Sequence, residues 1–210
     1  MWYGKQGLKK DFDKLTEEEK SQSVDFTSLM EQVALIDPKL RVRFSTSHPK
    51  DITDEFLQMM AKHKNICRYI HLPFQSGNSR VLEMMNRGYS REWYMGRVDK
   101  IKELMPDCAI SADIIAGFCS ETDEEHKDTL SMMEYVKYDF SYMFKYSERP
   151  NTPAARMKDD IPEKTKQRRL SEIIEKQQSH SFFHMKEKVG KTLEVLIEGI
   201  SKKSDKHLYG

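Results

Sequence analysis

A chain of 210 residues is long enough for one full domain, or for one domain and a piece of another. Hydrophobic residues make up 38% and charged residues 33%, and ten Phe, nine Tyr, two Trp and thirteen Met exclude wholesale disorder. Thirty-five Lys plus Arg against thirty-four Asp plus Glu leave a formal net charge of +1, so any nucleic-acid contact must come from a local basic face.

In chain order, Met1 to Ser23 is polar and lysine-rich without a sustained period, and reads as a flexible lead-in over residues 1–24. Phe26, Leu29, Met30, Val33 and Ile36 then fall at helical spacing, and Asp37-Pro38 ends that helix, because a residue before proline is pushed out of the helical region. Short β-rich runs follow at Leu40 to Ser45, Cys67 to Leu72, Ala109 to Ala116 and Phe140 to Tyr146, separated by helical patterns, which is the rhythm of a parallel α/β sheet. One intervening helix starts near Thr53 and another at Ser90, the latter carrying Trp93, Tyr94, Val98, Ile101 and Leu104. A third starts at Thr122, where glutamate three residues on makes a capping box, and continues through Leu130, Met133 and Val136.

Pro162-Glu163 opens a long charged helix with Leu170, Ile173, Ile174 and Met185 expected inward, and Gly190 stops it. Residues 161–190 therefore read as a closing helix and linker. Thr192 to Ile200 alternates as a strand with Leu193, Val195 and Ile197 on one face. No partner for it is evident, so residues 191–210 read as the start of a small β domain cut short.

No apolar run approaches the roughly 20 residues that span a bilayer, and Met1-Trp2-Tyr3-Gly4-Lys5 lacks the basic-then-apolar order of a signal peptide; a cytoplasmic protein without membrane contact is expected. Cys67, Cys108 and Cys119 stand 41 and 11 residues apart, which excludes a metal or iron–sulfur site made from local sequence and argues against a disulfide framework.

In parallel β/α architectures the loops after the strands form the ligand-binding rim. Here these are Ser45-Thr46-Ser47-His48-Pro49, His71 to Gly77, Gly117 to Thr122 and Ser147 to Pro153, all rich in hydrogen-bonding groups. Taken singly, each is explained as well by a turn, with Gly77, Pro49 and Pro150 as turn residues. His71 fits a satisfied core histidine as well as a site, while His48 is better placed for substrate. Arg149 is the best candidate for a carboxylate or phosphate, because guanidinium presents a planar pair of donors. Arg87 reads as a helix-end charge within reach of the rim, and the methionines as core filling.

Five strings carry a resemblance: Arg43-Phe44-Ser45-Thr46-Ser47-His48-Pro49, His71-Leu72-Pro73-Phe74-Gln75-Ser76-Gly77, Asp113-Ile114-Ile115-Ala116-Gly117-Phe118, Glu121-Thr122 and Tyr146 through Ala155. In order and spacing, from about Phe26 to the end, the chain closely resembles the radical S-adenosylmethionine (SAM) methylthiotransferases. Its Thr-Ser-His-Pro and Gln-Ser-Gly forms are similar to the branch acting on tRNA. The resemblance implies a partial (β/α) barrel of radical SAM type, of which residues 25–160 supply strands three to six, followed by the first strand of a truncated TRAM-like, RNA-binding β domain. It also implies S-adenosyl-L-methionine and [4Fe–4S] clusters whose cysteine ligands are absent from this chain, so that the fragment alone is expected to be inactive.

The implied activity installs a methylthio group at C2 of an N6-isopentenylated adenosine in tRNA, with the sulfur donor left unidentified. The implied cofactor contacts are Ser47, Gln75 and Ser76 at the rim, Arg149 as a charge anchor, and the Ile115, Gly117 and Phe118 edge as a wall for adenine. His48 and Arg87 are expected toward substrate. Lys202 and Lys203, together with Lys164, Lys166, Arg168 and Arg169, are expected toward tRNA phosphates, with a solvated helix face as the plainer reading of that charge run. Two departures stand out: relatives usually have Gly-Phe-Pro-Gly-Glu-Thr where this chain has Cys119-Ser120, and glycine where it has Asn151, a residue that tolerates positive φ. Four alternatives stay open: a different tRNA adenosine, a ribosomal protein, a non-catalytic RNA-binding module, or an acid–base β/α enzyme using Asp113 and Glu121. The open sheet edge is expected to favour self-association.

Overall fold

The computed structural model describes residues 2–3, 16–21, 23–45 and 48–209. Near the N-terminus, β1 (Trp2–Tyr3) pairs antiparallel with β2 (Val24–Asp25), and α1 (Glu17–Ser21) lies between them in sequence. The lead-in is therefore partly ordered: Thr16 and Glu19 exchange backbone and side-chain hydrogen bonds, enough to hold one helical turn. Asp25 accepts the amide hydrogen of Ser28 at 2.7 Å and so caps α2 (Phe26–Ile36), which buries Met30 and Ala34 but leaves Ile36 exposed at its end.

The expected first strand shrinks to a single parallel bridge between Val42 and Ile66. Val42 exchanges both ladder bonds, with Asn65 and Cys67, on one side, and no described strand lies on its other side to extend the pairing. Thr53 accepts the Phe56 amide hydrogen and starts α3 (Asp54–Lys62). The main sheet follows: β3 (Tyr69–His71), α4 (Ser79–Met84), α5 (Arg91–Leu104), β4 (Ala109–Ala116), α6 (Asp123–Val136) and β5 (Phe140–Lys145). All three strands are parallel in the order β3-β4-β5, with Tyr69 beside Ala109 and Ser111 beside Phe140. The capping box at Thr122 and Glu125 forms as expected.

Alternation along the strands gives the sheet two unlike faces. Ile70, Ile110, Ala112, Ile114 and Ala116 enter the apolar core with Phe56, Leu57, Met60, Tyr94, Val98, Ile101, Met132, Met133 and Val136 from the helices. Tyr69, His71, Ser111, Asp113, Ile115, Phe140, Tyr142 and Phe144 take the opposite face, which no helix among the described residues covers.

A final helix, α7 (Glu163–Lys188), packs on β4, β5 and α6. Of its expected inward residues, Ile173 is fully buried, Leu170 lies partly buried against the core, and Met185 is 61% exposed beyond the end of the sheet. Its expected basic face is not free. Lys166 and Arg169 are buried and paired with Asp159 and Glu121, while Arg168 bonds Asp123 and Glu172 at 2.6 and 2.8 Å. Their carboxylate partners come from the loop before α6 (Glu121), from the first turn of α6 (Asp123), from the segment before α7 (Asp159) and from α7 itself (Glu172).

After α7 the chain runs without regular structure to β6 (Gly199–Ile200), which pairs antiparallel with β7 (Leu208–Tyr209). The expected strand over Thr192 to Ile200 is thus mostly absent, and its partner lies within the chain. Leu193, Val195 and Ile197 are exposed with no neighbouring strand to complete a ladder. Among the described residues no helix is long and apolar enough to cross a membrane.

Two histidines link α6 to α7: His126 to Glu172 at 2.6 Å and His180 to Glu134 at 3.4 Å. Burial holds both below the usual histidine range, outweighing the pull of Glu172 and Glu134; Arg168 and Arg169 beside His126 and Lys176 beside His180 lower them further. Each also has a buried Nδ1 without a partner, so a second proton would be left unbonded. The unfolded chain then binds more protons than the native one below about pH 6.5, and stability falls as the pH is lowered through that region. Urea midpoints should be lower near pH 5 than near pH 7.5, and His126→Gln should shrink the gap; an unchanged gap removes His126 as its source.

Candidate functional site

At the carboxyl ends of the parallel strands, three loops are held by different devices. After β3 the chain adds one bridge to β4, Gln75 donating to Asp113 O and accepting from Ile115 N, both at 2.9 Å, with Gln75 at φ 69°. Ser76 is fully buried and its hydroxyl accepts the Asn78 amide hydrogen. Gly77 donates to Thr129 Oγ1 at 3.0 Å and lies so close to the α6 backbone at Asp128 that any Cβ would collide with it. Arg91 closes this corner by donating to Gly77 O and Asp128 O, each at 2.7 Å.

The loop after β4 rests on α7. Gly117, at φ 71°, donates its amide hydrogen to Glu121 Oε2 at 2.8 Å, and the Lys166 side chain fills the space a Cβ would need. Arg169 donates to Glu121 Oε2 and to its carbonyl, both at 2.9 Å. Burial nevertheless outweighs the Gly117 amide and the Arg169 charge and pushes the Glu121 carboxyl above its usual range. Phe118 is buried edge-on to Tyr146 at 4.9 Å in a small rim cluster with Val81 and Cys119, against which Ile115 packs. Ser120 sits at φ 59°; its amide donates to Asp160 and its carbonyl accepts from Arg80.

After β5, Asn151 takes φ 67°, as its tolerance of that conformation suggested. Arg149 is exposed, and its guanidinium makes no ion pair among the described residues. Ser47 lies outside the described residues. His48 and Arg87 do converge, on Tyr89: the His48 ring stands edge-on to it at 5.4 Å and Arg87 Nε donates to its hydroxyl at 3.3 Å. Burial, and then the Arg87 charge, lower the His48 pKa. Lys202 and Lys203 are exposed in the turn between β6 and β7, and no hydrogen bond or ion pair among the described residues joins them to the rim.

Sequence reasoning passed over the uncovered inner face. There Ser111 Oγ, fully buried, shares hydrogen bonds with Tyr69 Oη at 2.6 Å and His71 Nδ1 at 2.8 Å, and His71 Nε2 stands 3.5 Å from Asp113 Oδ1. The signal was present: Tyr69 and His71, Ser111 and Asp113, and Phe140, Tyr142 and Phe144 occupy every second position of their strands, out of phase with the aliphatic residues. Asp113 therefore faces His71 while Glu121 lies under α7, so the two do not form the carboxylate pair of an acid–base enzyme.

A model of the Radical SAM superfamily matches residues 3–133. The chain belongs to the radical SAM superfamily. It is 56% identical over 211 residues to tRNA-2-methylthio-N(6)-dimethylallyladenosine synthase of Flavobacterium johnsoniae, covering 100% of this chain and 44% of that protein. The protein of the same name from Christiangramia forsetii is 55% identical with the same coverage, and that from Amoebophilus asiaticus is 58% identical over 87% of this chain and 38% of its own length. The chain thus spans less than half the length of these relatives. Among solved structures, coproporphyrinogen III oxidase of Escherichia coli, described as a radical SAM enzyme, superposes with a TM-score of 0.58 at 20% identity over 79% of this chain and 38% of that one.

Radical SAM chemistry implies S-adenosylmethionine and a [4Fe–4S] cluster. Among the described residues no group of three or more His, Cys, Asp or Glu is placed to hold a metal ion. Cys108 is buried, its thiol pushed up to about 12, and Cys119 is buried in the rim cluster. The residues present do not fit a cluster.

The Arg169–Glu121 pair yields a stability test. Arg169→Met strands a buried carboxylate and should cost about 3–5 kcal/mol by urea denaturation. Adding Glu121→Gln should restore part of that loss, and a double variant no more stable than the single one would contradict the pairing.

Proposed function

We propose that residues 25–160 are strands three to six of the barrel of a tRNA methylthiotransferase, and that the β6–β7 hairpin opens a TRAM-like RNA-binding domain. The observation that carries this reading is identity of 55–56% over the whole chain to proteins named for 2-methylthiolation of N6-dimethylallyladenosine in tRNA. A tRNA substrate goes with a cytoplasmic location, and the edge on the Val42 side, where two barrel strands are missing, is the one through which the isolated chain would self-associate.

Bound S-adenosylmethionine supplies the source of a radical that takes a hydrogen atom from the substrate base. This chain's own part is to bind and orient. In this reading Ile115, backed by the buried Phe118, gives the adenine an apolar wall. Gly117 keeps the backbone close, Gln75, held between Asp113 and Ile115, offers its amide at the rim, and Ser47 is a further cofactor contact. Ser76 supports that turn from beneath, and Arg149 meets a carboxylate with two parallel donors. His48, kept neutral by burial and by Arg87, offers substrate a hydrogen bond without adding charge. Lys202 and Lys203 meet phosphates.

The deciding experiment expresses the complete protein in a host deleted for its own enzyme and analyses tRNA nucleosides by mass spectrometry. The 2-methylthio derivative should appear with it, and its absence, with the protein soluble and loaded with iron, refutes the proposal. In tRNA-binding titrations, Lys202→Ala with Lys203→Ala should reduce the slope of log K against log salt by about 1–2.

A further inference from the structure

The inner face of the sheet changes character along its strands in a way that the cofactor contacts leave unused. In the register of β4 with β5, Ser111 lies beside Phe140, Asp113 beside Tyr142 and Ile115 beside Phe144. Toward the carboxyl ends the neighbour of each ring changes from a hydroxyl to a carboxylate and then to an apolar side chain. The three rings are 48%, 50% and 52% exposed, a row about 13 Å long at the ordinary rise per strand residue. Large rings left half-bare side by side on a folded domain mark a binding surface.

The polar end is built rather than incidental. Ser111 is fully buried, and its hydroxyl ties Tyr69 to His71 Nδ1. That bond turns His71 Nε2 toward Asp113 Oδ1 at 3.5 Å, and the edge-to-face contact with Tyr142, 5.8 Å between ring centres, fixes the ring from the other side. A carboxylate is thereby presented at the level of Tyr142, with Ile115 and Phe144 as the next pair along the face.

We infer that Tyr142 and Phe144, with Asp113 held by His71, form the wall that selects the substrate base: a purine whose exocyclic N6 carries an apolar branched substituent. This rests on the tRNA reading proposed above and assigns its specificity to particular residues. The face of Tyr142 stacks on the planar base, and a secondary N6–H donates to Asp113. The alkyl group continues along Phe144, opposite Ile115, which borders both this wall and the cofactor edge. A phosphate or a free carboxylate is repelled by Asp113, and a sugar has no use for the rings.

The test uses the complete protein loaded with iron, and two anticodon stem-loop RNAs that carry either N6-dimethylallyladenosine or adenosine at the same position. Binding is read by fluorescence anisotropy and turnover as kcat/KM for each. Wild type should prefer the alkylated RNA in both, and Phe144→Ala should cut that preference about tenfold, the scale on which an apolar pocket loses discrimination. Phe144→Leu, which keeps apolar bulk, should retain most of it, and unfolding midpoints separate lost folding from lost selectivity. Equal binding of the two RNAs by wild type, or a preference that survives in folded Phe144→Ala and Tyr142→Ala variants, overturns the inference. Preferential binding of the alkylated RNA without any methylthiolated product supports the wall while refuting the proposed reaction.

Discussion

The buried contact between Arg169 and Glu121 determines how the rest of the rim is held. One carboxylate oxygen receives both the Gly117 amide and the guanidinium, so a helix that begins some forty residues later is fastened directly to the loop after β4. A buried ion pair of this kind is weak evidence for net stability, since desolvation offsets most of the attraction. Its effect is on register. With α7 displaced by a turn, Lys166 would no longer cover Gly117 and Arg169 would no longer meet Glu121, and two charges would be left unpaired in the interior.

The same logic runs down the whole helix. Lys166, Arg169, Gln177 and His180 are all buried, and each meets a specific partner: Asp159 before α7, Glu121 before α6, the Tyr138 carbonyl after α6, and Glu134 on α6. A helix packed through polar groups at fixed positions cannot slide as an oily one could. It covers the outer face of β5 and leaves the inner face open, and this places Phe140, Tyr142 and Phe144 beside the polar network of His71, Ser111 and Asp113.

Much of this was legible from residue order. The three full strands and the helices between them, the capping box at Thr122 and the turn at Asn151 each rest on local chemistry that a sequence displays. Apart from Ile173, the α7 stripe was not legible, because its other buried residues are two cations, an amide and a histidine whose burial depends on polar partners far away in sequence or in the segment just before the helix. Lys166 and Arg169 look in sequence like a solvated or RNA-facing surface, and the structure gives them interior partners. The C-terminal alternation misled for the opposite reason: Leu193, Val195 and Ile197 have strand chemistry, but a strand also needs an edge to pair with, and none lies beside them. The inner face escaped notice because motif reading attends to loops, whereas this face is written into every second residue of strands.

Backbone strain follows the same geography. Of the five non-glycine residues at positive φ among the described residues, three, Gln75, Ser120 and Asn151, lie one in each of the three rim loops, joined by Gly117, while Asn86 and Lys137 follow helices. For a side-chain-bearing residue that conformation costs about 1–2 kcal/mol. At two of these positions the surrounding bonds over-determine the geometry: Gln75 is gripped on both sides by β4, and Ser120 by Asp160 and Arg80. Strain held in this way is the mark of a surface kept in one shape before its ligand arrives. A rim able to relax would lose that energy and let the loops diverge, whereas this one is fastened to β4 and α6 through Gln75 and Gly77 and to α7 through Glu121. Rigidity at the mouth and openness on the inner face are thus two consequences of one arrangement, in which polar contacts fix the loops and leave the rings of β5 free to be used.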